Sequence, residues 1–118
     1  MLTARYVQRN IKFADVINIV PSDGDRYYGF ARLLDGDVET EVVVYFHMGD
    51  FRPITSGNAG PRFANGRNVR DRHIPPKYGD RIVFLVIRPK RDGQRPKACP
   101  WGHAEEWMRA SNRAKTSA

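Results

Sequence analysis

Two stretches constrain the fold of this chain more than any others. Arg26-Tyr27-Tyr28-Gly29-Phe30 sets a glycine between aromatic residues, and Glu41-Val42-Val43-Val44-Tyr45-Phe46-His47 is a run of β-formers ending in two rings. Between them lies Asp35-Gly36-Asp37, a turn signal. The pair reads as neighbouring antiparallel strands. Side chains alternate across a strand, so Tyr28, Phe30 and Tyr45 are expected on one sheet face. Pairing of Tyr28 or Phe30 with Tyr45 across the strands is worth a few tenths to about 1 kcal/mol.

The remaining chain supplies three more strands and a helix. Ile11 to Val20 is β-branched with sections of period two, and a bend is expected near Ala14-Asp15. Pro21-Ser22-Asp23-Gly24-Asp25 turns it into the second strand, Arg26 to Leu34. The third strand is Glu39 to His47. A fourth, Arg81 to Arg88, is continuously apolar over Ile82-Val83-Phe84-Leu85-Val86-Ile87, which predicts burial on both faces. Lys97 to Trp101 forms a short fifth strand, whose end Pro100 should confine to a sheet edge. His103 to Lys115 reads as a helix, with Trp107 and Met108 placed to cap an open barrel end. Residues 1–10 are a polar lead, 11–102 the domain, and 103–118 the helix and its tail. Residues 48–78, rich in Gly, Pro, Asn and Arg, read as a long inserted loop.

Charge points to a class of partner. Residues 1–59 hold 6 Lys/Arg against 8 Asp/Glu, a net of −2, while residues 60–118 hold 14 against 5, a net of +9. Basic charge concentrated in one half suits a polyanion. The basic candidates are Lys12, Arg26, Arg62, Arg67, Arg70, Arg72, Arg91 and Arg95. No apolar run approaches the roughly 20 residues of a membrane span, and the N-terminus lacks a charged-then-apolar leader pattern. A single cysteine, Cys99, rules out an internal disulfide and fits a reducing, cytoplasmic setting. His47, His73, Cys99 and His103 share no metal-ligand spacing, no phosphate-binding glycine loop occurs, and no paired carboxylates suggest hydrolysis. We therefore expect no enzyme activity, no metal and no cofactor.

The same segments resemble a known family. Arg26-Tyr27-Tyr28-Gly29-Phe30-Ala31 is similar to the first ribonucleoprotein motif of cold-shock domains, Lys-Gly-Phe-Gly-Phe-Ile. Glu41 to His47 is similar to the second, Asp-Val-Phe-Val-His-Phe-Ser. Tyr78-Gly79-Asp80-Arg81-Ile82-Val83-Phe84 resembles the family's entry into strand four, and Lys97-Ala98-Cys99 stands where its closing strand carries Gln/Arg-Ala. The resemblance spans about residues 12–101. It implies an all-β, five-stranded OB-fold barrel, here with the long basic loop and a C-terminal helix added.

It also implies that Tyr28, Phe30, Tyr45 and Phe46 stack on bases, with Arg26 beside them. Simple alternation from Tyr45 sends Phe46 inward unless a bulge intervenes. The chain departs from the family pattern where Tyr27 replaces a glycine, Val43 an exposed aromatic, and Ile17-Asn18-Ile19 the Lys-Trp-Phe of strand one. The expected function is binding of single-stranded RNA or DNA, as an RNA chaperone or a regulator of transcription or translation. Pyrimidine-rich oligonucleotides and strong salt dependence are expected. The alternative is an OB-fold module that docks on a ribosome, a polymerase or another protein, or pairs as a homodimer through the C-terminal helix.

Overall fold

The computed structural model describes residues 11–24, 26–57, 60–64, 74–87 and 94–116. Five strands close a barrel: β1 (Ile11–Pro21), β2 (Tyr27–Asp35), β3 (Val38–His47), β6 (Arg81–Ile87) and β7 (Lys97–His103), in the order β1-β2-β3-β7-β6. All neighbours are antiparallel except β3 and β7, which pair in parallel through Tyr45↔Lys97 and Phe46↔Ala98. Closure removes the exposed sheet edges that invite aggregation. The fold is thus mostly β with one terminal helix, α1 (Ala104–Thr116). No described helix is long and apolar enough to cross a membrane.

The barrel interior follows from alternation. Ala14 and Val16 on β1, Tyr27 and Ala31 on β2, Val44 and Phe46 on β3, Ile82 and Phe84 on β6, and Ala98 and Trp101 on β7 form one buried cluster. Phe46 and Trp101 meet edge to face at 4.9 Å, and the Trp101 indole N–H donates to the His47 carbonyl at 2.8 Å. Gly29 stands opposite Phe46 in the ladder. A Cβ there would collide with the Phe46 ring and lie 2.7 Å from the Asn18 carbonyl oxygen. The glycine between the aromatics therefore makes room for a core ring on the partner strand. Burial pushes the Tyr27 phenol well above its ordinary value.

A second cluster covers the outside of β1 and β6. Val83 faces away from the barrel interior and is buried with Ala104 and Trp107, with Ile11, Phe13, Ile54 and Phe63 packed around them. The first half of the β6 run, Ile82-Val83-Phe84, is thereby buried on both faces, while Val86 further along is exposed, so the expected burial holds only in part. Part of the predicted 48–78 loop is ordered as a 3-10 turn, Met48–Asp50, and a hairpin, β4 (Ile54–Gly57) with β5 (Gly60–Phe63). Ile54 and Phe63, paired in the hairpin, pin it beneath α1, where Phe63 and Trp107 lie 5.5 Å apart. The helix packs on this outer wall and does not cap a barrel end. Trp107 is buried and Met108 points to solvent, 54% exposed.

Two local expectations are corrected, and one irregularity is new. The irregularity in β1 falls at Ile17, between Val16↔Ala31 and Asn18↔Phe30, and not at Ala14-Asp15. β7 is no edge strand: it runs seven residues and pairs on both sides, and Pro100 falls within the register shift opposite Phe84 and Val86, where no ladder N–H is required. The β2–β3 ladder is broken between Arg32 and Leu34. There the Thr40 hydroxyl donates to the Leu33 carbonyl at 2.8 Å and accepts from the Val42 N–H at 3.2 Å, which restores bonds lost at the break.

Candidate nucleic-acid interface

The outer face of β2 and β3 carries three clustered rings that no described helix or hairpin covers. Residues opposite one another share a face in an antiparallel ladder, so the register lays out three rows across three strands. Val20, Tyr28 and His47 form one row, Asn18, Phe30 and Tyr45 the next, and Asp15, Arg32 and Val43 the third. Tyr28, Phe30 and Tyr45 cluster with centroids 5.8 to 6.0 Å apart. Each ring is half-buried. Tyr28 and Phe30 stand nearly perpendicular, at 87°. Two perpendicular rings cannot both lie flat on one surface, so one offers a face and the other an edge.

Phe46 does not belong to this site. It is fully buried in the barrel, against Trp101 and over Gly29. No bulge separates it from Tyr45, so alternation sends it inward, and the stacking role implied by the family resemblance is corrected.

The basic candidates separate. Arg95 reaches the site from the segment before β7, with its guanidinium carbon 5.6 Å from the Phe30 centroid, over the ring. Arg26 is exposed in the turn two residues before Tyr28, and its backbone carbonyl accepts from the Ser22 N–H at 2.8 Å. Lys12 is exposed but lies six residues before Asn18, about 20 Å along the strand at 3.3 Å per residue. Arg62 is exposed on β5, in the hairpin beneath α1, on the covered wall. The structure brings neither Lys12 nor Arg62 to the rings. Arg67, Arg70, Arg72 and Arg91 lie outside the described residues.

Residues that the sequence reading passed over complete the face. Arg32 extends the Tyr28-Phe30 alternation by one step. It is half-buried, and its Nε, shielded from water, has no hydrogen-bond partner among the described residues. Period two was signal enough to find it. Asn18 and Ile17 come to the face through the β1 bulge, which no sequence pattern announced. A shallow depression of about 310 Å³ lies between Ile17, Asn18, Phe30, Val43 and Arg95.

Charges beneath the site are largely paired. Lys97 bonds Asp50 at 3.0 Å, and this bond holds its ammonium above the ordinary lysine value. Burial, with Asp50 nearby, pushes the Cys99 thiol up. The His47 ring Nδ1 accepts from the Gly49 N–H at 2.9 Å, and the His103 Nε2 lies 2.7 Å from the Ile74 carbonyl. Among the described residues no group of three or more His, Cys, Asp or Glu is placed to hold a metal ion. Comparison with family models, curated proteins and solved structures finds no match to this chain.

Proposed function

We propose that this chain binds single-stranded nucleic acid on the outer face of β2 and β3, with Tyr28, Phe30 and Tyr45 as base platforms. The observation that carries the reading is the cluster of three rings on an outer barrel face, with the Arg95 guanidinium over one of them. Rings offer stacking worth about 1–3 kcal/mol per base, and a cation beside them neutralises phosphate. The strand order supports an OB-like, cold-shock-like barrel. In that fold the face of strands two and three, with the loops joining strands one to two and four to five, takes oligonucleotides. Arg26 and Arg95 stand in those two connections. Arg32 adds a desolvated donor without a partner among the described residues, an arrangement that costs roughly 1–3 kcal/mol and favours an incoming acceptor. On this reading the chain is a binder and not an enzyme.

Titration of a labelled pyrimidine octamer tests it. We expect binding at about 50 mM salt that weakens steeply towards about 200 mM, as phosphate contacts release counterions. An absence of binding at the lower salt overturns the reading. The protein-docking alternative places Tyr28 and Tyr45 against a protein surface. Co-purification of one defined protein after nuclease treatment, lost in Tyr45→Ala, would replace the nucleic-acid reading with that one.

A further inference from the structure

We propose that the first half of β3, residues 38–43, is an open strand edge that takes a basic extended peptide as an added strand. The inference is independent of the nucleic-acid reading, because this edge is acidic and repels phosphate. Closure protects a strand only where it pairs on both sides. β3 is 10 residues long, yet it meets β7 only through Tyr45 and Phe46. On that side no described strand pairs with residues 38–43.

The register explains why the pairing stops. The Tyr45 N–H donates to the Pro96 carbonyl at 2.9 Å, on the side away from β2. Alternation along the strand turns the Val43 N–H and C=O the same way. The next bond of this parallel ladder would run from an N–H at position 96 to the Val43 carbonyl, and Pro96 has no N–H. The Val43 peptide groups therefore face outward with no bonding partner among the described residues. Unpaired N–H and C=O groups along a strand are a template for another strand.

The side chains name the partner. Residues 40–42 stand against Leu33 alone, so the break adds two residues and alternation keeps its phase through it. Val38, Thr40 and Val42 share one face of the strand, and Glu39, Glu41 and Val43 share the other. Val38 and Val42 are 68% and 44% exposed, and Glu39 and Glu41 are exposed beside Asp35 and Asp37 at the hairpin tip. None of these four carboxylates is in an ion pair among the described residues. Arg81, which feels the charge of Asp37 and Glu39, is itself bonded to Asp15. A second copy of this edge is a poor occupant, since carboxylates would oppose carboxylates across the new ladder. A strand that alternates Lys or Arg with apolar residues is the better one. It sets cations beside Glu39 and Glu41 and covers Val38 and Val42, while its backbone bonds the edge. About six residues fill the edge, roughly 20 Å at about 3.3 Å per residue.

The test uses the full chain and a short peptide that alternates lysine with valine, labelled with fluorescein at its N-terminus and amidated at its C-terminus. Fluorescence anisotropy at about 50 mM salt, where exposed charges are weakly screened, should show saturable binding. A peptide of the same composition, with its lysines and valines in two blocks, should bind about fivefold more weakly, because it cannot match both faces of the edge. Methylating alternate backbone nitrogens blocks one edge of the peptide. One of the two methylated forms should therefore lose about fivefold, as for one missing hydrogen bond, and the other should keep its affinity. The double variant Glu39→Gln, Glu41→Gln should weaken the alternating peptide by about fivefold, as for two exposed ion pairs. If the alternating peptide does not bind, or if the block peptide and both methylated forms bind as well as it does, the edge is no docking site and its carboxylates only guard it. If the chain alone forms a dimer that the double variant strengthens, a second copy occupies the edge and the proposal falls.

Discussion

The two outer walls of the barrel are built from similar material and finished differently. On one, Ile11, Phe13 and Val83 are sealed by α1 and the β4–β5 hairpin, through Trp107, Ala104, Ile54 and Phe63. On the other, Tyr28, Phe30 and Tyr45 shield one another, and no described helix or hairpin covers them. Strand β1 serves both. Its first half faces the sealed wall, and beyond the Ile17 bulge it contributes Asn18 and Val20 to the open one. A rigid barrel can dedicate one apolar wall to stability and leave the other for a ligand. A half-buried cluster of rings beside arginines is what remains where no described element seals the second wall.

The strongest way to break this contrast is to unseal the covered wall. Trp107→Ala removes a buried indole against Val83 and Phe63 and should cost about 3–5 kcal/mol, read from the urea midpoint. Oligonucleotide affinity of the folded fraction should not change. A loss no greater than that of an open-wall ring would mean that the helix and hairpin are ornaments on the barrel and not its cover. Gly29→Ala acts from inside. The new methyl meets Phe46 and the Asn18 carbonyl, so overpacking should cost about 1–3 kcal/mol, read as a lowered Tm.

On the open wall the balance of effects should reverse. Tyr45→Ala removes one platform and should weaken oligonucleotide binding by about 1–3 kcal/mol. The same change forfeits its tilted ring contacts with Tyr28 and Phe30, about 1 kcal/mol of stability. Anisotropy titration and urea melts of one variant, set beside those of Trp107→Ala, measure the division of labour directly. Equal binding by parent and Tyr45→Ala would show that the open wall is not the contact surface.

The open wall was more legible in the sequence than the sealed one, for physical reasons. Period two and an Asp-Gly turn are local signals, and they placed Tyr28, Phe30 and Tyr45 together. Local alternation also had Phe46 right where the family resemblance did not. The ring turns inward because Gly29, across the ladder, leaves it space. The sealed wall depends on partners far apart in the chain. Four-residue strands such as Ile54–Gly57 and Gly60–Phe63 lie amid Gly and Pro and gain their order from packing on α1, which no local window contains. The Ile17 bulge was hidden for another reason. Register is a property of two strands, and alternation within one cannot show where it slips.

Asp15 marks the seam between the walls, and its removal should have the smallest effect on both. It pairs across the ladder with Arg32 of the open wall on one side and Arg81 of β6 on the other. Its carboxylate bonds the Arg81 guanidinium at 2.8 Å, a bond that holds Arg81 above its already high ordinary value. With the Arg81 side chain 44% exposed, a double-mutant cycle should give a coupling of only about 0.2–1 kcal/mol. That coupling should shrink as salt shortens the screening length. Asp15→Asn also removes a negative charge next to Arg32, so oligonucleotide affinity should rise slightly at low salt and match the parent at high salt. A fall in affinity would place Asp15 among the contacts of the open wall, and a coupling well above 1 kcal/mol would place the seam inside the sealed one.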